Sequence, residues 1–136
     1  MSQPKVAEDR SQIGLSEQGT LDREFIKEKL DLKDLQDAYR LAVAVALAKN
    51  LPPAGEDARR TTAYGAHVLD STGALRASVL ALRDDHGGRP YALMERLAEA
   101  GLRDIAVHLE EGRPIRQYLA ALLPEQEEKQ GDGAPG

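Results

Sequence analysis

Cysteine and tryptophan are absent from this chain of 136 residues. The first absence removes disulfides, thiol nucleophiles and thiolate metal sites, and fits a reducing compartment. Aromatic residues make up only 4% of the sequence. The interior must therefore be filled by Leu, Ala, Val and Ile around Phe25, Tyr39, Tyr64, Tyr91 and Tyr118. Long hydrophobic runs are also lacking: the apolar stretch 41–48 is eight residues long, against roughly 20 needed to cross a bilayer. Residues 1–20 are polar and contain no apolar core of a secretory signal. Together these absences point to a cytoplasmic protein that does not engage a membrane. Lysine is missing from 51–123, where all nine basic residues are arginine.

No large excess of positive charge is present. The net charge is −5, and residues 124–136, with one basic and four acidic side chains, supply −3 of it. Residues 1–50 carry 8 basic and 9 acidic side chains, and 51–123 carry 9 and 10. A nearly neutral body argues against strong non-specific nucleic-acid binding, which rests on a positive surface.

What is present is helical. The most informative stretch is 32–51, LKDLQDAYRLAVAVALAKNL. Leu35, Ala38, Tyr39 and Ala42 share one face by their spacing. From 41 to 48 the sequence LAVAVALA has no polar residue, and a helix apolar all round must be buried all round. In a chain this small that implies a partner chain covering what its own core cannot. Tyr39, Leu41, Ala42, Val43, Val45, Ala46 and Leu47 are accordingly expected to form the interface of a homo-oligomer, most simply a dimer.

The remaining pattern predicts a mainly α protein with a short N-terminal strand. Residues 1–10 are expected to be flexible and 11–123 to form a single mostly helical domain. Ile13 and Leu15 alternate with Gln12, Gly14 and Ser16 as in a strand. Thr20 or Asp22 can cap a first helix through Leu30, and Asp31 a second that ends at Asn50 and Pro52. PPAGEDARRTT at 52–62 reads as a linker, and 61–69 is left open. Asp70, Ser71 or Thr72 caps a helix to about Arg83 that buries Leu75, Val79 and Leu82. Pro90 starts another helix, Gly101 is a natural end for it, and a short helix with Ile115, Tyr118, Leu119 and Leu122 follows Pro114. Residues 124–136 have nothing to bury and are expected to form a disordered acidic tail.

Chemistry-bearing patterns are sparse. His67, His86 and His108 lack metal-ligand spacing. The sequence GGR at 87–89 resembles an anion site at a helix start but lacks the P-loop lysine and hydroxyl. No GxSxG elbow surrounds a serine. Arg59 and Arg60 form the best basic cluster, a candidate contact for an anion or an acidic partner. The expectation is therefore a non-enzyme with no cofactor and no metal.

Two resemblances add to this reading. The order strand, helix, turn, helix across 13–51 looks like the ribbon-helix-helix arrangement, in which two chains pair their N-terminal strands and present the ribbon to the major groove. That resemblance implies Gln12, Gly14 and Ser16 as outward ribbon positions and Lys33 near a phosphate contact, with Arg10 and Lys5 flanking the ribbon. Any such DNA contact should be weak. The segments DLQDAYRLAVAVALAKNLPP (34–53) and YALMERLAEAGLRDIAVHLEEG (91–112) are similar to small bacterial proteins associated with the Dnd DNA-phosphorothioation system. This implies an accessory or scaffold subunit beside phage-defence or DNA-modification machinery, with a larger defence protein as partner. A DNA-binding regulator is the alternative.

Overall fold

The computed structural model describes residues 8–120. The expected acidic tail at 124–136, Leu122 and Lys5 lie outside them. The protein is mainly α: six helices and one two-stranded antiparallel sheet among the described residues. In order these are β1 (Gln12–Leu15), α1 (Glu17–Leu30), α2 (Leu35–Lys49), β2 (Thr61–Gly65), α3 (Ala66–Leu69), α4 (Ala74–Leu82), α5 (Pro90–Glu110) and α6 (Ile115–Ala120). α5 is the central element, with α2, α1, α4, β1 and α6 packed around it.

Local chemistry sets each boundary. Ser16 is the N-cap of α1, its Oγ accepting the Gly19 N–H at 3.1 Å, ahead of both Thr20 and Asp22, the caps expected from sequence. Asp31 does not start the second helix. It ends the first in the left-handed conformation (φ 55°), and Asp34 is the N-cap of α2, with its N–H donating to Asp37 Oδ2 at 3.3 Å. Asp and Asn tolerate this backbone region, and Asn50 closes α2 in the same way (φ 53°). The N-cap of α4 is Gly73, not Asp70, Ser71 or Thr72 as expected, although Asp70 accepts the Leu75 and Arg76 N–H groups of its first turn at 2.9 Å each. Of that helix's expected core residues Val79 is buried and Leu75 partly so, but Leu82 is 63% exposed.

Gly101 does not end a helix; α5 continues through it for nine more residues. Its bare Cα lies against the backbone of Ala42, where any Cβ would collide with the Ala42 carbonyl. A glycine that reads as a stop is thus the point at which α2 and α5 cross.

The crossing also accounts for the apolar run. Tyr39, Ala42, Val43, Val45 and Ala46 are 0–1% exposed within a single chain, and Leu41 and Leu47 pack against the same core from its margin. The expected oligomer interface is therefore internal core. α2 lies between α5, α1 and α4, so three helices of its own chain supply the covering that the sequence pattern assigned to a partner. Ala44, in the middle of the run, is exposed.

Candidate functional site

β1 is the meeting point of the candidate residues. On one side it pairs antiparallel with β2 of the same chain, in the register Gln12↔Gly65, Ile13↔Tyr64, Gly14↔Thr62 and Leu15↔Thr61, with a bulge at Ile13/Gly14. Its other side faces α5. The amides of Gly14 and Ser16 are two residues apart and so point to the same edge of the strand. Gly14 N–H donates to Glu95 Oε2 and Ser16 N–H to Glu99 Oε1, each at 2.8 Å. The spacing explains the match. Two strand residues advance about 6.7 Å, and four helix residues about 6 Å. An i, i+4 pair of carboxylates on a helix therefore mates with an i, i+2 pair of strand amides.

Both carboxylates are buried, at 3% and 8% exposure, and each has an arginine. Arg10 Nε lies 3.3 Å from Glu95 Oε1, and Arg60 Nε donates to Glu99 Oε2 at 3.1 Å. Ser16 Oγ adds a 2.6 Å bond to Glu99 Oε1. Tyr39 lies beneath this belt, edge-on to Tyr64 with centroids 5.3 Å apart. Burial first, and the neighbouring Glu95 and Glu99 charges second, push its hydroxyl well above the ordinary tyrosine value. The phenol is held neutral.

This geometry reassigns the ribbon residues. Of Gln12, Gly14 and Ser16, only Gln12 is exposed; Gly14 is buried and Ser16 half-buried against α5. One edge of β1 is taken by β2 and the other by Glu95 and Glu99, so no edge is left for the strand of a second chain. Lys33 is exposed in the turn after α1, whereas β1 precedes that helix. The 14 residues of α1 separate the two by about 21 Å, so Lys33 does not join Arg10 at the strand. Arg59 is exposed, but Arg60 is buried in its pair with Glu99 and also donates to the Gly55 carbonyl at 3.0 Å.

The segment expected to be a linker is fastened to the body. Arg96 Nε donates to the Ala54 carbonyl at 2.7 Å, Ala54 N–H returns a 3.1 Å bond to the Arg96 carbonyl, and Arg83 holds the Leu51 carbonyl at 2.8 Å. Residues 8–10, expected to be flexible, are likewise held. Both Asp9 carboxylate oxygens accept N–H groups at the start of α5 (Tyr91 at 2.8 Å, Ala92 at 2.9 Å), and the Glu8 carbonyl accepts from Arg89 at 2.7 Å. An anion at a helix start is stabilised by the free N–H groups there, and here the chain supplies its own.

A second cluster lies at the far end of α5. Asp104 accepts from both Lys49 and Tyr118. Burial alone would raise this carboxyl, but those two partners outweigh it and hold it below the ordinary range. Tyr118 is pushed up by burial and by the same bond. His108 contacts the Tyr118 ring and the Pro114 carbonyl. The cluster lines a hollow of about 430 Å³ and ties α6 to α2 and α5. His67 packs edge-on against Tyr91, and His86 Nδ1 accepts the Gly88 N–H at 2.9 Å. Among the described residues no three His, Asp or Glu side chains converge as metal ligands, and no helix is long and apolar enough to cross a membrane.

Sequence reasoning missed Glu95 and Glu99, because ME and AE pairs within a helix look like any solvated face. The available signal was their i, i+4 spacing on the otherwise apolar stripe of Tyr91, Met94, Leu97 and Ala98. Comparison with known protein families, with curated proteins and with solved structures found no match.

Proposed function

We propose that the chain is a non-enzymatic accessory or scaffold subunit of a bacterial phage-defence or DNA-modification system, acting through protein–protein contact. The observation that carries this reading is the commitment of the central ionisable groups. Glu95, Glu99, Asp70 and Asp9 each accept from backbone N–H groups, and the first two are further paired with arginine. Carboxylates engaged in this way hold the fold together. The segments that carry the Dnd-associated resemblance, 34–53 and 91–112, contain α2 and all of α5 but its first residue, the two helices in closest mutual packing.

The test is co-purification of the tagged full chain with the products of neighbouring genes, together with duplex-DNA titrations at several salt concentrations. A defined complex and a DNA slope near zero are expected. A protein that neutralises several phosphates loses affinity steeply with salt, at about 0.9 log units per log unit of salt for each contact. A steep slope and no complex would overturn the scaffold reading in favour of a DNA-binding regulator.

A further inference from the structure

A cleft of about 340 Å³ opens between the 51–60 loop, residues 84–89 and the first half of α5. An adjoining recess of about 140 Å³ reaches β1. Arg10, Arg60, Arg89 and Arg96 come from three separate stretches of chain, the last two from the start of α5, and line the cleft together with His86 and Glu95. In a body that is nearly neutral, this is a local concentration of guanidinium groups.

The partners of each charge decide what the cleft can bind. Glu95 is matched by Arg10 and the Gly14 amide, and Glu99 by Arg60. Asp85, on the rim, is held by both Nε and Nη2 of Arg83 at 2.9 and 2.7 Å, and that contact keeps its carboxyl low. Arg89 and Arg96 remain, with Glu56 on the lining and Asp85, which also feels the Arg96 charge, as the carboxylates nearby. Each is anchored through Nε alone, Arg89 to the Glu8 carbonyl and Arg96 to the Ala54 carbonyl, both at 2.7 Å. A guanidinium carries five N–H donors, so among the described residues the terminal nitrogens of both have no protein partner. Anchoring at Nε fixes the plane of the fork and reduces the entropy lost when it grips an anion. Because His86 Nδ1 accepts the Gly88 N–H, the neutral ring carries its proton on Nε2, which adds another donor.

A planar, pre-oriented fork matches phosphate oxygens in bidentate fashion. The volume lies at the low end of small-molecule sites, about 300–1,000 Å³, which suits a compact ligand. We propose that this cleft binds a phosphate monoester through the terminal nitrogens of Arg89 and Arg96, with His86 as an additional donor. The monoester is carried either by a free mononucleotide or by the 5′ end of a nucleic-acid strand. The inference does not depend on the scaffold reading.

The full chain should be titrated by calorimetry with inorganic phosphate, adenosine monophosphate, adenosine, and a short single strand with and without a 5′ phosphate. Saturable binding of phosphate and the monophosphate, with none of adenosine, is expected. Preference for the 5′-phosphorylated strand over the monophosphate identifies a strand end as the source, and the reverse identifies a free nucleotide. Arg89→Gln with Arg96→Gln should weaken binding by about tenfold or more, while Arg113→Gln leaves it unchanged. Because the double change also loosens two backbone anchors, a measurement on the unaltered protein accompanies it. Phosphate should protect Arg89 and Arg96, but not Arg113, from phenylglyoxal as read by peptide mass mapping. No saturation by phosphate or the monophosphate at millimolar concentration, or equal labelling with and without phosphate, would overturn the proposal.

Discussion

Replacing Glu99 by alanine tests the idea that the strand is held by helix carboxylates. The change removes the acceptor of the Ser16 amide and hydroxyl and of Arg60 Nε. Arg60, 8% exposed at its side chain, is then a buried cation with one remaining bond, to the Gly55 carbonyl. Breaking a buried pair by deleting one partner costs about 3–5 kcal/mol, a large share of a total of about 5–15 kcal/mol. With a urea dependence of about 1–3 kcal/mol per molar, the unfolding midpoint should fall by about 2 M. Glu99→Gln retains an acceptor for Ser16 but exchanges the ion pair for a neutral contact, and should cost about 1–3 kcal/mol. Combining Glu99→Ala with Arg60→Ala should cost clearly less than the two separate losses added, since the stranded cation is gone. A Glu99→Ala midpoint within about half a molar of wild type would refute the reasoning, as would simple additivity in the double variant.

Other expectations follow from single contacts. Gly101→Ala raises helix propensity by about 1 kcal/mol, yet should lower the melting temperature, because its Cβ would meet the Ala42 carbonyl; a rise would mean that the crossing has room to give. Val45→Glu, at 1% exposure, should abolish the near-ultraviolet circular dichroism of the folded chain; a variant that stays folded but sediments as a smaller species would restore α2 as an intermolecular surface. Asp22 is raised above its ordinary 3.8, chiefly by burial, against the lowering effects of Gln18 and Arg103. A carboxyl whose folded value is raised contributes stability below its unfolded value and loses it as pH rises through the folded value. Asp22→Asn should therefore gain in urea midpoint on wild type between acid and neutral pH, and a difference that does not change with pH would contradict this assignment.

Period and punctuation determined much of this protein in the sequence alone. The 3.6-residue spacing of Leu35, Ala38, Tyr39 and Ala42 marks α2, the alternation around Ile13 and Leu15 marks β1, and Pro90 marks the start of α5. These are local effects, set within a few residues by sterics and by the face each side chain occupies. The boundaries that sequence misassigned turn on a choice between two local roles for one residue. Asp31 can cap the start of a helix or close the preceding one, and Gly101 can stop a helix or let another approach. Tertiary contact decides the second, with Ala42 against Gly101; the first is settled within a turn, by the Asp31 N–H closing on the Glu28 carbonyl and by the Asp34–Asp37 capping pair.

The candidate sites were the least legible part, because they are built from residues distant in the chain. Gly14 and Glu95 are 81 positions apart, and Arg60 and Glu99 are 39 apart. No spacing rule within one segment announces that a strand amide will meet a helix carboxylate, or that Arg10, Arg60, Arg89 and Arg96 will line one cleft. The apolar run at 41–48 shows the same division. Its composition called for burial, while the arrangement of α1, α4 and α5 decided that the chain covers Ala42, Val43, Val45 and Ala46 by itself and leaves Ala44 and Ala48 exposed.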